Sequence, residues 1–305
     1  MRNEILVGSR RSRLALAQAN EVVKALKEFS SHHKYRVIPI RTTGDKLPES
    51  RETPAEGKGV FTKEIEESLL KGEIQLAVHS MKDLVTDLPP GLTVAAVPRR
   101  ADHRDALVSR SKENLNRLPG GASIGTSSPR RRTQLLANRN DLQVLGMHGN
   151  VETRLRKLES GDYDGIVLAA AGLKRLGLAK HVTEFLPTRV MLPAIGQGAI
   201  AVEAREDDVD TVELVSCLED KSTRRAVEAE RAFARKLGAN CRTPIAAYAR
   251  FENGELAIEG MVSSADGRML LRSQLLSTNP RPESVGEELA ESLLAKGAQL
   301  ILEET

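Results

Sequence analysis

Tryptophan is absent from the 305 residues, and aromatic side chains make up only 3% of them. Hydrophobic cores must therefore be assembled from Leu, Ile, Val and Ala. Cysteine is scarce as well. Cys217 and Cys241 are the only two, which excludes a disulfide framework and leaves no metal-ligand spacing. Neither charge is in real excess: 45 Lys plus Arg face 42 Asp plus Glu, a net charge of +3. That is too little to imply general affinity for nucleic acid. Long apolar runs are also missing. The first, Ile5-Leu6-Val7, is too short for the core of a secretion signal or for a membrane span, so no membrane partner is expected and a reducing cytoplasm is the expected location. What remains is 40% hydrophobic and 29% charged, the composition of a chain that folds. Its length predicts two or three domains of about 100–200 residues each.

Short apolar runs alternate with helical patterns over the first 200 residues or so. Strands are predicted at Ile5–Val7, Tyr35–Ile40, Ile74–Val78 and Thr93–Val97, and helices at Ser12–Phe29 and Thr62–Lys71; the first helix carries Leu14, Ala17, Val22, Leu26 and Phe29 at helical spacing. The pattern then restarts. Strands are predicted at Ala106–Val108, Ser123–Gly125, Leu142–Leu145 and Ile166–Ala169, with helices opening at Ser128-Pro129 and spanning Val151–Ser160. The alternation predicts two similar α/β units with parallel or mixed sheets. Boundary candidates are Pro98–Arg104 and Pro193–Gly198. The last third differs: a helix at Asp220–Leu237, strands at Pro244–Arg250, Glu255–Val262 and Arg268–Leu276, and a helix at Glu283–Lys296. Asn253-Gly254 and Asp266-Gly267 are hairpin signals, so this segment reads as a small α+β domain. Glu49–Lys58 lacks periodicity and reads as a loop.

Four places carry chemistry. Gly8-Ser9-Arg10-Arg11-Ser12-Arg13 and Gly125-Thr126-Ser127-Ser128-Pro129-Arg130-Arg131-Arg132 each stand between a strand and a helix. Helix N-termini and strand carboxyl ends attract anions, and arginine binds carboxylates in a bidentate manner. Two such turns in matching positions point to a polyanionic ligand, with Arg154 and Arg175 extending the group. His79-Ser80-Met81-Lys82-Asp83 follows a strand, and Asp83 there suits stabilisation of a developing cation or proton transfer. Cys241, in Gly238-Ala239-Asn240-Cys241-Arg242-Thr243-Pro244, has an arginine beside it that favours the thiolate, although a lone cysteine is more often inert packing. Cys217 reads as core. On residue chemistry alone the anion is unidentified, and phosphate fits as well as carboxylate.

Eight separated, collinear stretches resemble the hydroxymethylbilane synthase (porphobilinogen deaminase) family. They are Gly8–Gln18, Gly57–Glu66, Ala77–Leu84, Gly125–Arg131, Gly149–Leu158, Leu168–Gly177, Leu192–Ala199 and the Cys241 turn. The resemblance implies a fold of two periplasmic-binding-protein-like α/β domains, with a hinge crossed twice, and a small C-terminal α+β domain. Domain 1 would comprise residues 1–98 and 199–217, domain 2 residues 104–193 and domain 3 residues 220–305. It implies a cytoplasmic, monomeric transferase of tetrapyrrole (porphyrin, heme) biosynthesis. The implied reaction condenses four porphobilinogen molecules head to tail, with loss of ammonia, on a dipyrromethane cofactor held by a thioether to Cys241, and then releases the linear tetrapyrrole by hydrolysis.

The same resemblance assigns roles. Asp83, Arg10 and Arg154 would be catalytic. Ser80, Lys82, Thr126, Ser128, Arg130 and Arg131 would contact the cofactor. Arg10, Gln18, Phe61, His148, Arg154, Arg175 and Gln197 would bind substrate, and no metal is implied. Two carboxylates on every pyrrole ring account for the arginine density. One departure stands out: His148 occupies a position where the family commonly has arginine, and a neutral imidazole cannot reproduce a guanidinium fork; His148 is still expected to contact a carboxylate. Asn240, where glycine is frequent, is a smaller deviation in a turn that accepts Asn. The rival readings are a non-catalytic two-lobed anion-binding protein and a phosphate-ligand enzyme. The former leaves the C-terminal domain and its cysteine turn without a role. For the latter the sequence offers neither a P-loop nor a dinucleotide fingerprint.

Overall fold

The computed structural model describes residues 3–46, 59–238, 243–278 and 281–303. In chain order the elements are β1 (Glu4–Arg10), α1 (Arg13–Phe29), β2 (Lys34–Ile40), α2 (Lys63–Leu70), β3 (Leu76–Ser80), β4 (Leu92–Ala96), β5 (Asp105–Ser109), β6 (Ser123–Gly125), α3 (Pro129–Asn138), β7 (Gln143–Leu145), α4 (Val151–Glu159), β8 (Gly165–Ala169), α5 (Ala170–Arg175), β9 (Glu184–Leu186), β10 (Ile200–Arg205), α6 (Val209–Val215), α7 (Lys221–Lys236), β11 (Ile245–Glu252), β12 (Glu255–Ser263), β13 (Leu270–Ser277), α8 (Pro282–Leu293) and α9 (Gln299–Glu303). Two compact units result: Met1–Ala101 with Ala199–Arg224, and Asp102–Gly198 with Arg225–Thr305.

The first unit is built on a five-stranded sheet in the order β2-β1-β3-β10-β4. β1 runs parallel to β2 and β3, whereas β10 is antiparallel to both of its neighbours. The sheet is therefore mixed. Its central strands are covered on both faces, which is why their sequences are continuous apolar runs rather than alternating ones. On one face α1 buries Ala19, Val22, Val23 and Leu26 against Ile5, Val7, Leu76 and Val78. On the other, α2 lays Ile65 and Leu69 on Ile74, Ala77 and Leu92. The Ser12 hydroxyl caps α1 by accepting from the Ala15 N–H at 3.2 Å. One boundary differs from the sequence expectation of Ile74–Val78. The strand runs from Leu76 to Ser80, and Met81–Asp83 make a single 3-10 turn after it. Ladder pairing with β10 at Ser80 and His79 extends the strand past its apolar run.

The second unit contains a five-stranded sheet in the order β7-β6-β8-β5-β9. β6 is parallel to β7 and β8, and β5 is antiparallel to β8 and β9. Counted without the antiparallel strand, both sheets place the second strand at one edge, then the first, the third, the antiparallel strand and the fourth. In each sheet the antiparallel strand is the first one laid down after the chain enters the unit anew: β5 follows Ala101, and β10 follows Ala199. The same unit holds the antiparallel sheet β11-β12-β13. Asn253 and Gly254 at its first turn have φ of 52° and 84°, the two left-handed residues that a tight hairpin of matching twist requires. Phe233 of α7, Ile258 of β12, and Leu289 and Leu293 of α8 form its core.

α7 and α8 pack backbone to backbone at Gly286. A Cβ there would stand 2.1 Å from the Ala229 carbonyl oxygen and 3.0 Å from the Phe233 nitrogen. Helix propensity alone would favour alanine by about 1 kcal/mol, but a backbone clash cannot be relieved by a side-chain rotation. Gly286→Ala is expected to destabilise the protein by about 1–3 kcal/mol, read as a lowered thermal midpoint. An unchanged or raised midpoint would show that the helices part without cost.

Candidate active site

In the first unit the carboxyl ends of β1 and β3, the start of α1 and the residues leading into α2 line a small pocket that is open to solvent. Arg10, Gln18, Phe61, Ser80 and Asp83 all line it, so five residues dispersed over 74 positions of sequence are brought together. Arg10 lies over the Phe61 ring, 4.1 Å from its centroid, and its Nη2 is 2.6 Å from Asp45 Oδ1. Gly44 leaves room for that ring; a Cβ there would come within 2.1 Å of Phe61. Burial alone would raise the Asp45 carboxyl, but the Arg10 hydrogen bond and charge and the Thr42 N–H outweigh it and hold it below its ordinary value. Gln18 Nε2 and the Ser80 hydroxyl are 2.9 Å apart. Asp83 is half-buried and has no hydrogen-bond or ion-pair partner among the described residues. Lys82, on the same turn, is exposed.

In the second unit the turn after β6 is ordered by its own hydroxyls. Thr126 Oγ1 accepts from the Ser128 N–H at 3.2 Å, and Ser128 Oγ caps α3 by accepting from the Arg131 N–H. Arg130 and Arg131 then turn inward. Arg130 Nη1 donates to Asp105 Oδ2 at 2.8 Å and to the Leu192 carbonyl at 2.6 Å. Arg131 Nε donates to Asp105 Oδ1 at 2.9 Å and its Nη1 to the Val167 carbonyl at 2.9 Å. All three side chains are buried. Burial opposes the Asp105 charge, yet the two guanidinium groups prevail and bring its pKa down to about 2.

Arg154 is different. Its Nε donates to the Gly149 carbonyl at 2.7 Å, and it faces no carboxylate among the described residues. Burial, reinforced by the nearby Arg131 charge, pulls its pKa down to about 10. A guanidinium in that condition lacks the anion that would compensate its desolvation. His148 Nε2 is 3.2 Å from Ser127 Oγ. Arg175 Nη2 donates to the Gly198 carbonyl at 3.3 Å, and the buried Gln197 donates to the His103 carbonyl at 2.7 Å. Cys241 and its turn lie outside the described residues, as does Glu49–Lys58.

Sequence reasoning passed over Asp45 and Asp105. Each carried a faint signal: Asp45 stands beside a glycine at a turn, and Asp105 is the charged residue directly before the apolar run Ala106–Val108. Among the described residues no group of three or more His, Cys, Asp or Glu is arranged to hold a metal, and no described helix is long and apolar enough to cross a membrane.

Fold and site together define an α/β protein whose strand ends bring arginine, hydroxyl and an unpaired carboxylate to a solvent-open pocket. Comparison with known proteins narrows this. Residues 5–213 match the family model "Porphobilinogen deaminase, dipyromethane cofactor binding domain", and residues 224–295 match "Porphobilinogen deaminase, C-terminal domain". The porphobilinogen deaminase of Syntrophotalea carbinolica is 50% identical over 97% of this chain and 94% of its own; that of Brevibacillus brevis is 46% identical over 98% and 96%. Among solved structures, a TRAP periplasmic solute binding protein from Desulfovibrio salexigens aligns over 71% of this chain and 72% of its own, at 11% identity and a TM-score of 0.44. The chain belongs to the porphobilinogen deaminase family, transferases of tetrapyrrole synthesis.

Proposed function

We propose that this chain condenses four porphobilinogen molecules head to tail on a dipyrromethane primer attached to Cys241 and then releases the linear tetrapyrrole by hydrolysis. The observation that carries the reading is Asp83: a half-buried carboxylate lining a pocket with Arg10 and Phe61, with no protein partner among the described residues. Loss of ammonia from porphobilinogen leaves an electrophilic azafulvene-like cation, and a fixed carboxylate within such a pocket stabilises it and the charge that follows it. Arg10 orients the substrate through a ring carboxylate, with Phe61 beneath the guanidinium and Gln18 and Ser80 at the pocket wall.

In the second unit the chemistry of the donors fits a carboxylate-rich cofactor. Arg154, desolvated without an anion, is assigned to its carboxylates or to those of substrate. Thr126, Ser128, Arg130, Arg131, Ser80 and Lys82 are assigned to the cofactor, and His148, Arg175 and Gln197 to substrate. For Arg130 and Arg131 the assignment rests on N–H groups that Asp105 and the two carbonyls leave over. Bound dipyrromethane would supply a pyrrole carbon able to attack the incoming unit. Three domains, 1–98 with 199–217, 104–193 and 220–305, are proposed on the strength of three sheets with separate cores. The near balance of charge and the two cysteines support a cytoplasmic enzyme without a nucleic-acid partner, and a monomer is proposed from the family resemblance.

The test is intact mass under denaturing conditions. The wild-type protein should exceed the mass of its chain by two condensed pyrrole units, and Cys241→Ser should not. A bare wild-type mass that stays bare after incubation with porphobilinogen, with no tetrapyrrole formed, would defeat the assignment.

A further inference from the structure

Next to the pocket lies a buried ionisable cluster that the chemistry above does not use. Residues paired across antiparallel strands share one face of the sheet. The pairs Ala201–His79 and Glu203–Ala77 therefore place His79 and Glu203 diagonally on the face that α2 covers. His79 Nε2 and Glu203 Oε2 are 2.9 Å apart, and the side chains are 2% and 0% exposed. Glu66 descends from α2 and is itself 6% exposed. One oxygen of each glutamate, Glu66 Oε1 and Glu203 Oε1, is fully buried without a hydrogen-bond partner among the described residues. His79 also lines the pocket, with Ser80 and Asp83.

Charge counting states what such a cluster requires. With a neutral imidazole and two ionised glutamates the buried charge would be −2, a state that burial strongly disfavours. Two protons distributed over the three groups bring it to zero. Burial, with the Glu203 charge adding to it, pushes the Glu66 carboxyl up, against the opposing influence of Thr62 and His79. The other charged groups on the surrounding elements are directed elsewhere. Arg205 of β10 donates to the Leu69 carbonyl and pairs with Asp208. Arg10 of β1 pairs with Asp45, and Glu64 of α2 accepts from the Thr43 N–H. Lys63 and Glu67 of α2 are exposed, and β4 brings no ionisable side chain.

We propose that His79, Glu66 and Glu203 form a proton-sharing positioning cluster for the catalytic turn: while neutral it pins the carboxyl end of β3, from which Ser80 and Asp83 reach the pocket, and its deprotonation on the alkaline side loosens that end and lowers turnover. A second ionised glutamate beside Glu203 repels it and competes for the single imidazole that anchors β10 to β3.

This inference rests on the pocket's being the site of condensation, and the experiment separates the two. Porphobilinogen consumption by the holoenzyme is followed across the neutral and alkaline range for wild type, Glu66→Gln and His79→Gln. Glu66→Gln keeps volume and hydrogen-bonding capacity but removes one ionisation. Its alkaline limb in kcat is expected to move up by about one pH unit, roughly a tenfold advantage at the alkaline extreme, with KM and the acid limb unchanged. His79→Gln removes the influence that lowers the Glu66 carboxyl, so its limb is expected to move up as well. A second measurement does not depend on turnover. The infrared carbonyl band of a protonated carboxylic acid should disappear as wild type and Asp83→Asn are made alkaline, and should be missing from Glu66→Gln throughout. Coincident pH profiles in a wild type and Glu66→Gln pair that both turn over, or a band that survives Glu66→Gln, overturn the cluster alone. A wild type that consumes no porphobilinogen overturns the assigned reaction, and the positioning role with it.

Discussion

Asp105→Asn is expected to destabilise the protein by about 3–5 kcal/mol, because it leaves two buried guanidinium groups without their shared carboxylate. Asp105 is fully buried, and Arg130 and Arg131 reach it from adjacent positions of α3 with contacts of 2.8 and 2.7 Å. A neutral amide preserves shape but not charge, and the arginines cannot shed their protons to compensate. The sign with pH is fixed by the depressed carboxyl. Its folded pKa of about 2 lies below the ordinary 3.8, so its stabilisation is complete above the unfolded value and is lost as pH falls through the folded one. Thermal midpoints of wild type and variant should differ most at neutral pH and converge in strong acid. A neutral-pH loss below about 1 kcal/mol would mean that water reaches the arginines once the carboxylate is gone.

Asp83→Asn is the complementary case, with a large effect on chemistry and little on the fold. Asp83 has no described partner to lose, and Asn fits the same turn position after Met81 and Lys82. Turnover of porphobilinogen should fall by about 10²–10⁴-fold while the thermal midpoint stays within about 0.5 kcal/mol of wild type. The loss should fall on kcat rather than KM, because the charge acts on the cation that develops and Arg10 remains to hold the substrate. Activity within tenfold of wild type would remove Asp83 from the reaction.

The pairing of these two aspartates shows where residue chemistry alone runs out. Asp83 was legible because it follows an apolar strand within a polar turn, a place where side chains are exposed to ligand. Asp105 was not, because its meaning depends on partners 25 and 26 residues away. Arg130 and Arg131 were read as ligand binders for the same reason that makes them good partners for Asp105: a guanidinium fork accepts any carboxylate, and the sequence does not say which one is nearer. Thr126, Ser128 and Gln197 show the same ambiguity. Their polar groups are found bracing a turn, capping a helix and holding a carbonyl, uses that a list of polar residues does not separate from ligand contact.

By itself the sequence determined the alternation of strands and helices, the capped start of α3 at Ser128, the Asn253-Gly254 hairpin and the placing of the motifs at strand ends. These follow from propensity, periodicity and turn chemistry, which act over a few residues. Only the tertiary structure decided that β5 and β10 enter their sheets antiparallel, that His79 meets Glu203 124 residues away, and which arginines face a buried aspartate and which does not. Those outcomes depend on which groups share a water-free volume, and in such a volume the cost of an unpaired charge selects the partner.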